Sequence, residues 1–174
     1  YEDAEGQLWV NTPAGHCRFN PKTEQVNRNT DQWLHQHHVG GHLLMMDTDE
    51  KHNLWILAVS PNKLYYYDFQ RCHATAMKVS PRQLNNVTSI HAEEKGLCLV
   101  YNRGAMAWVD RNSGTIAWTD HYIPNHDATP NQHYHTISDR QGNRWAWAEN
   151  KAYCYQRSIH AWRLIYDRPV NDVA

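Results

Sequence analysis

"DRQGNRWAW", residues 139–147, packs an acidic residue, a tight turn and a Trp-centred strand into one short phrase, and "DAEGQLWVN", residues 3–11, repeats it near the start of the chain. Aligning the chain on the acidic residue gives four copies, Asp3, Asp49, Glu93 and Asp139, each followed six positions later by Trp9, Trp55, Leu99 and Trp145. The steps between copies are 46, 44 and 46 residues. A glycine stands three after the acid in copies one, three and four (Gly6, Gly96, Gly142), and His52 takes its place in copy two. Further along each copy a second aromatic recurs as Phe19, Tyr65, Trp108 and Tyr155. Polar turns follow, "NPKT" at Asn20–Thr23 and "DRNSGT" at Asp110–Thr115.

A repeat of this length built from Val, Ile, Thr, Trp and Tyr means four short strands per unit, the signature of a propeller blade. Copy three spells the unit out. "NVTSIHA" (Asn86–Ala92) is the inner strand, "EEKG" the tight turn, and "LCLVY" (Leu97–Tyr101) the second strand. "AMAWVD" (Ala105–Asp110) is the third and "TIAWTD" (Thr115–Asp120) the fourth. No window carries a sustained helical spacing of apolar residues. The expectation is an all-β β-propeller segment over residues 1–174, four blades of four antiparallel strands, with almost no helix.

The recurring residues have structural work to do. Glycine supplies a backbone angle that other residues adopt at a cost, and the acidic side chain can accept hydrogen bonds from the N–H groups of its own turn. The Trp slot buries a large ring between neighbouring blades, whereas Leu99 leaves less contact there. Each blade alone is a marginal sheet, so stacking supplies the stability.

Composition narrows the function. With 41% apolar and 20% charged residues and a formal charge of -1, the chain is ordinary for a globular domain and has no basic stripe for phosphates. Nucleic acid is not an expected partner. No apolar run approaches the length of a membrane helix. Cys17, Cys72, Cys98 and Cys154 are far apart, form no metal or redox pair, and read as small buried hydrophobes. Eight Trp, ten Tyr and thirteen His stand against two Phe, a supply of rings with polar handles that suits half-buried strands and sugar or peptide contacts.

The phrases "DAEGQLWVNTPAGHCRFNP", "DEKHNLWILAVSPNKLYYYD" and "DRQGNRWAWAENKAYCY" resemble the propeller repeats in the periplasmic sensor region of hybrid two-component histidine kinases of Bacteroides-type bacteria. The resemblance covers essentially the whole chain. The chain departs from it at Leu99, at His52, and at Lys63 and Lys151, which stand near the place of Gly15 and Gly104. It implies a periplasmic, non-enzymatic sensing module with oligosaccharides as ligands, joined to further blades and signalling domains and able to pair with a second copy. A protein-binding scaffold is the alternative, and a propeller lyase or hydrolase a more distant one. "PVNDVA" (Pro169–Ala174) matches "QLNNVT" (Gln83–Thr88), and Tyr1 precedes Asp3 as the end of such a strand. The expectation is therefore an excerpt of a larger propeller in preference to a closed four-bladed ring.

"WLHQHHVGGH" (Trp33–His42) gathers His35, His37, His38 and His42. No carboxylate or Cys completes a metal set there, so the stretch reads as a solvated connection between blades. His133 and His135 flank Tyr134 in the same bland way. GxSxG, HExxH, P-loop and GxGxxG patterns are absent, so neither catalytic residues nor a cofactor is expected. Ligand contacts are expected instead from the turns between second and third strands, "SPNK", "NRG" and "AEN". The residues are Lys63, Asn102, Arg103 and Glu149, with Tyr101 and Trp147 alongside as stacking rings.

Overall fold

The computed structural model describes residues 1–12, 15–120, 123, 134–139, 143–148, 151–156, 159 and 161–167. Four antiparallel sheets follow one another along the chain. The first holds β1 (Leu8–Thr12), β2 (Gly15–Asn20) and β3 (Gln25–Asn27), and after the helix α1 (Thr30–Gln36) the second holds β4 (His42–Thr48), β5 (Leu54–Val59), β6 (Lys63–Asp68) and β7 (His73–Ala76). The third holds β8 (Val87–Glu93), β9 (Gly96–Tyr101), β10 (Met106–Asp110) and β11 (Ile116–Asp120). The fourth holds β12 (His135–Ser138), β13 (Arg144–Ala148), β14 (Lys151–Gln156) and β15 (Ala161–Asp167). Each sheet is a meander in sequence order, the blade pattern of an all-β propeller fold. Among the described residues the first blade has three strands where four were expected, with Glu2 bridging to Leu8 where an inner strand would begin.

By backbone contacts the chain divides into two compact units. One comprises residues 1–85, 92–97 and 110–115, the other residues 86–91, 98–109 and 116–174. In the first, Trp9, Trp33, Leu34, Met46, Ile56 and Tyr67 belong to one buried cluster. In the second, Cys98, Val100, Met106, Tyr134, Tyr153 and Trp162 belong to another. The middle strands β5 and β9 are buried at nearly every position, because both faces of a blade are covered. Outer strand β3 is exposed throughout.

The acid-to-Trp phrase forms a fixed turn. The Asp3, Asp49 and Asp139 amides each donate to the carbonyl four residues on, at 2.9, 3.0 and 2.9 Å. One carboxylate oxygen then takes up the turn's amides: Asp3 Oδ1 accepts from Glu5 and Gln7, Asp49 Oδ1 from Lys51 and Asn53, and Asp139 Oδ1 from Asn143. The other oxygen reaches forward to the Trp indole, Nε1 of Trp9 at 2.8 Å and of Trp145 at 3.2 Å. The six-residue spacing is thus a hydrogen bond made across one hairpin. In the third position of the turn Gly6 has φ 73° and His52 adopts φ 60°, the left-handed region that glycine enters freely. His52 is anchored there by its Nδ1 against the Glu2 carbonyl (3.0 Å) and by its own carbonyl accepting from Ala4 N–H (3.0 Å). Gly96 does not have a positive φ; it is the buried first residue of β9. Gly142 lies outside the described residues.

The structure departs from three expectations. Register places Arg18 opposite Trp9, Tyr66 opposite Trp55 and Cys154 opposite Trp145, so the aromatic matching Phe19 and Tyr155 is Tyr67, two positions beyond Tyr65. Trp145 is only half-buried, while Trp9 and Trp55 are fully buried. The His-rich connection is helical in its first part, Trp33–Gln36 closing α1 with His37 as its C-cap, while His35, His38 and His42 are exposed as a solvated connection requires. Asn29 caps the helix by accepting from Gln32 N–H (3.1 Å), Asp31 sits in the first turn and a histidine in the last, arrangements that favour a helix even where periodicity is short. Trp33 and Leu34 plug the core, with Trp33 edge-on to Trp9 at 5.0 Å, and the Arg18 guanidinium lies over both indoles at 5.1 and 4.8 Å.

Removing the Asp3 carboxylate strands two turn amides, an indole N–H and Arg18, so Asp3→Ala is expected to cost about 2–4 kcal/mol in urea unfolding. Trp55→Ala is expected to cost about 3–5 kcal/mol, and the half-buried Trp145→Ala clearly less. Equal losses for the two Trp variants in the same unfolding series contradict this ranking.

Candidate functional site

Two turns at one end of the second sheet, together with the β10–β11 turn, enclose a polar cleft of about 740 Å³ within the first unit. The β4–β5 turn supplies Lys51 and Asn53, the β6–β7 turn Asp68 to Arg71, and the β10–β11 turn Arg111 and Asn112. These turns are rigid for a local reason. Asp68 Oδ1 accepts from Arg71 N–H, and Asp110 Oδ1 accepts from Asn112 and Ser113 N–H at 3.0 and 2.7 Å, so an acid at the end of each third strand folds the chain back on itself. The Ser113 bonds in particular hold the Asp110 carboxyl below the usual carboxylate range.

The wall of the cleft is a buried polar network. Asp49 Oδ2 accepts from the Tyr66 hydroxyl at 2.6 Å, from Asn53 Nδ2 at 3.3 Å and from Arg111 Nη1 at 3.4 Å. The Arg111 guanidinium lies over the Tyr66 ring at 5.5 Å, and its backbone N–H donates to the Lys95 carbonyl at 3.0 Å. Burial, with the bond to Asp49, pushes the Tyr66 hydroxyl up to about 12, so it stays a donor across the physiological range. Lys51, Arg71 and Arg111 face one lining carboxylate, Asp68, which Arg71 already pairs at 3.7 Å. The cleft therefore offers an excess of cations with hydroxyl and amide groups around them.

The residues singled out from sequence lie elsewhere. Lys63 begins β6, at the end of the hairpin away from the cleft, with its ammonium 5.3 Å from the Tyr65 ring. In the second unit Asn102 is exposed and Tyr101 half-buried, its hydroxyl pushed up to about 12 by burial. The same turn is tied down at its far end. Gly104, at φ 75°, accepts at its carbonyl from Trp162 Nε1 (3.2 Å), and a Cβ there would fall 2.1 Å from Ile123 Cγ1. Trp147 is 42% exposed and stacks on His135 at 5.5 Å. Glu149, the Arg103 side chain and His133 lie outside the described residues. The sequence signal for the cleft is in the polar turns that follow the third strands, where Arg71 and Arg111 stand beside turn-forming aspartates.

Elsewhere in the second unit, His91 Nε2 lies 3.0 Å from Thr136 Oγ1 and 3.3 Å from Ser89 Oγ, and the two hydroxyls are themselves in hydrogen-bond contact. A Ser–His contact is the geometry of an activated hydroxyl. Burial, with Arg144 nearby, lowers His91 to about 4, however, and none of the three lines the cleft. No cluster of three or more metal-ligating side chains occurs among the described residues, and His42 is instead engaged with Asp31 at 2.8 Å. No helix of the described residues is long and apolar enough to cross a membrane.

No protein-family model matches the chain, and no curated protein matches it in sequence. Solved structures do share its fold. The extracellular domain of the putative one-component system BT4673 from B. thetaiotaomicron aligns over 97% of this chain and 24% of its own, with a TM-score of 0.62 and 13% identity. A structure of that domain described as part of a putative hybrid two-component system aligns over the same shares with a TM-score of 0.58 and 14% identity. PorZ, a surface component of the type-IX secretion system of Porphyromonas gingivalis, aligns over 91% of this chain and 19% of its own, at 0.53 and 10%. The chain thus spans about a quarter of the BT4673 domain. At these identities the likeness is one of fold.

A histidine with a folded pKa below its free value of 6.5 holds fewer protons folded than unfolded, so its contribution is present above pH 6.5 and is lost as pH falls toward 4. His91→Gln is expected to flatten part of the stability loss between pH 6.5 and 4 in urea unfolding at stepped pH. An unchanged slope contradicts a neutral buried His91.

Proposed function

We propose that the chain is a non-enzymatic ligand-binding segment of a larger propeller in the periplasmic sensor region of a hybrid two-component histidine kinase, and that its ligand is an oligosaccharide. The observation that carries this reading is the cleft of about 740 Å³, whose walls are hydrogen-bonding side chains fixed by turn geometry. Its size is that of a small-molecule site, and its polarity suits a hydroxyl-rich ligand. The fold shared with the BT4673 extracellular domain over 97% of this chain supports the setting, and the 24% of that domain covered supports a segment of something longer. The exposed Trp147 and Tyr101, Asn102, Arg103, Glu149 and Lys63 are proposed as further sugar contacts on the turns between second and third strands. Signalling follows from differential binding: a ligand favours one arrangement of blades and dimer partners over another, and the preference is passed on.

A second reading, a scaffold that docks another protein, is favoured by the exposed Leu164, Ile165 and Tyr166 in succession on strand β15.

The reading is tested by thermal unfolding of the chain with plant, host and microbial oligosaccharides. A ligand present at about 100 times its Kd is expected to add about 2.7 kcal/mol and raise the midpoint by several degrees. No shift with any saccharide removes the oligosaccharide reading and leaves the scaffold standing.

A further inference from the structure

We infer that the cleft of the first unit selects an acidic oligosaccharide, one whose carboxylate or sulfate groups pair with Arg111 inside and with Lys51 and Arg71 at the rim. The inference rests on the oligosaccharide reading and narrows it to a charge class.

Three observations lead there. The first is the charge balance of the lining: Lys51, Arg71 and Arg111 against the single carboxylate of Asp68. Lys51 makes no ion pair among the described residues, and Arg71, 83% exposed, holds Asp68 at a loose 3.7 Å. The second is the state of Arg111. It reaches Asp49 through Nη1 alone and at 3.4 Å, whereas Asp49 is already served by Tyr66 at 2.6 Å and by the turn amides of Lys51 and Asn53 at 2.9 Å each. Asp49 and the Tyr66 hydroxyl, the latter at 3.4 Å, thus engage Nη1, and the rest of the guanidinium, about a third exposed, has donors to spare. The third is preorganisation. Tyr66 under the guanidinium and the Lys95 carbonyl on the backbone N–H fix the residue before any ligand arrives. A planar fork held in place over an aromatic ring is the arrangement that recognises carboxylate or sulfate bidentately. The neutral hydrogen-bonding groups of Gln70, Thr75 and Asn112 around it match the hydroxyls of sugar rings.

The test compares oligogalacturonate with its methyl ester, which has the same rings without the charge, by titration calorimetry on the full chain at low and high salt. Monomeric galacturonate and inorganic sulfate serve as free-anion probes. Oligogalacturonate is expected to bind at least about tenfold tighter than the ester and to lose that advantage as salt rises. Arg111→Gln is expected to erase the preference, and Lys51→Ala and Arg71→Ala to reduce it about threefold each. The last two side chains are exposed, so those variants keep the test sound if Arg111→Gln fails to fold. Equal binding of acid and ester overturns the inference and leaves the oligosaccharide reading intact. Binding of neither form overturns both. Sulfate or the monomer binding as tightly as the oligomer makes this a site for a free small anion, and a preference that survives Lys51→Ala and Arg71→Ala unchanged moves it away from the cleft; either result overturns the inference.

Discussion

A carboxylate buried in its own turn is the constraint on which the blades depend. A tight turn between two strands leaves several amides pointing inward with no carbonyl to meet them, and an unmet buried amide is costly. Asp3 and Asp49 answer with one oxygen and keep the second for side-chain donors. Where the donor is an indole, as for Trp9 and Trp145, one carboxylate orients the turn and the ring together. Copy two shows the same demand met differently. Tyr66 and Asn53 occupy the second oxygen of Asp49, and Trp55 is fully buried with an indole nitrogen that has no hydrogen-bond partner among the described residues. In this copy the carboxylate also meets Arg111, which lines the cleft.

The repeat was legible in the sequence because its marks are hydrogen bonds with fixed spans. An acid and an indole six residues apart in one hairpin can be read without knowing what lies around them, and so can an acid at the end of a third strand. Helix α1 was illegible by periodicity since seven residues with two apolar ones make barely two turns, and its signals were Asn29 and Asp31 at its start. The two-residue slip from Tyr65 to Tyr67 was illegible because three consecutive tyrosines satisfy any register. Whether a Trp slot is filled completely depends on what covers it, so Trp145 and Trp55 look alike in sequence and differ in burial.

The candidate site was less legible than the fold. Reasoning from irregular loops led to the turns between second and third strands. The cleft is made by turns that obey the repeat, and its character comes from side chains on residues between the marks: Lys51 inside the acid-to-Trp turn, and Arg71 and Arg111 one to three places after an aspartate that folds the chain. A turn residue whose backbone is already satisfied is free to carry any side chain, and this is where function can vary without cost to the blade.

Helix α1 also limits how such an array can be rebuilt. Repeat proteins grow and shrink by exchanging whole units, which requires each unit to present the same surface to its neighbour. Trp9 is covered by Trp33 and held beneath Arg18, neither of which has a counterpart in the marks of the other copies. A unit copied into this place from copy two or four would bring an indole to meet Trp33 but Tyr66 or Cys154 where Arg18 stands, so the cation over the two rings would be lost. Trp33 thus ties Trp9 of the first copy to Tyr67 of the second through a contact that the marks of the repeat do not supply.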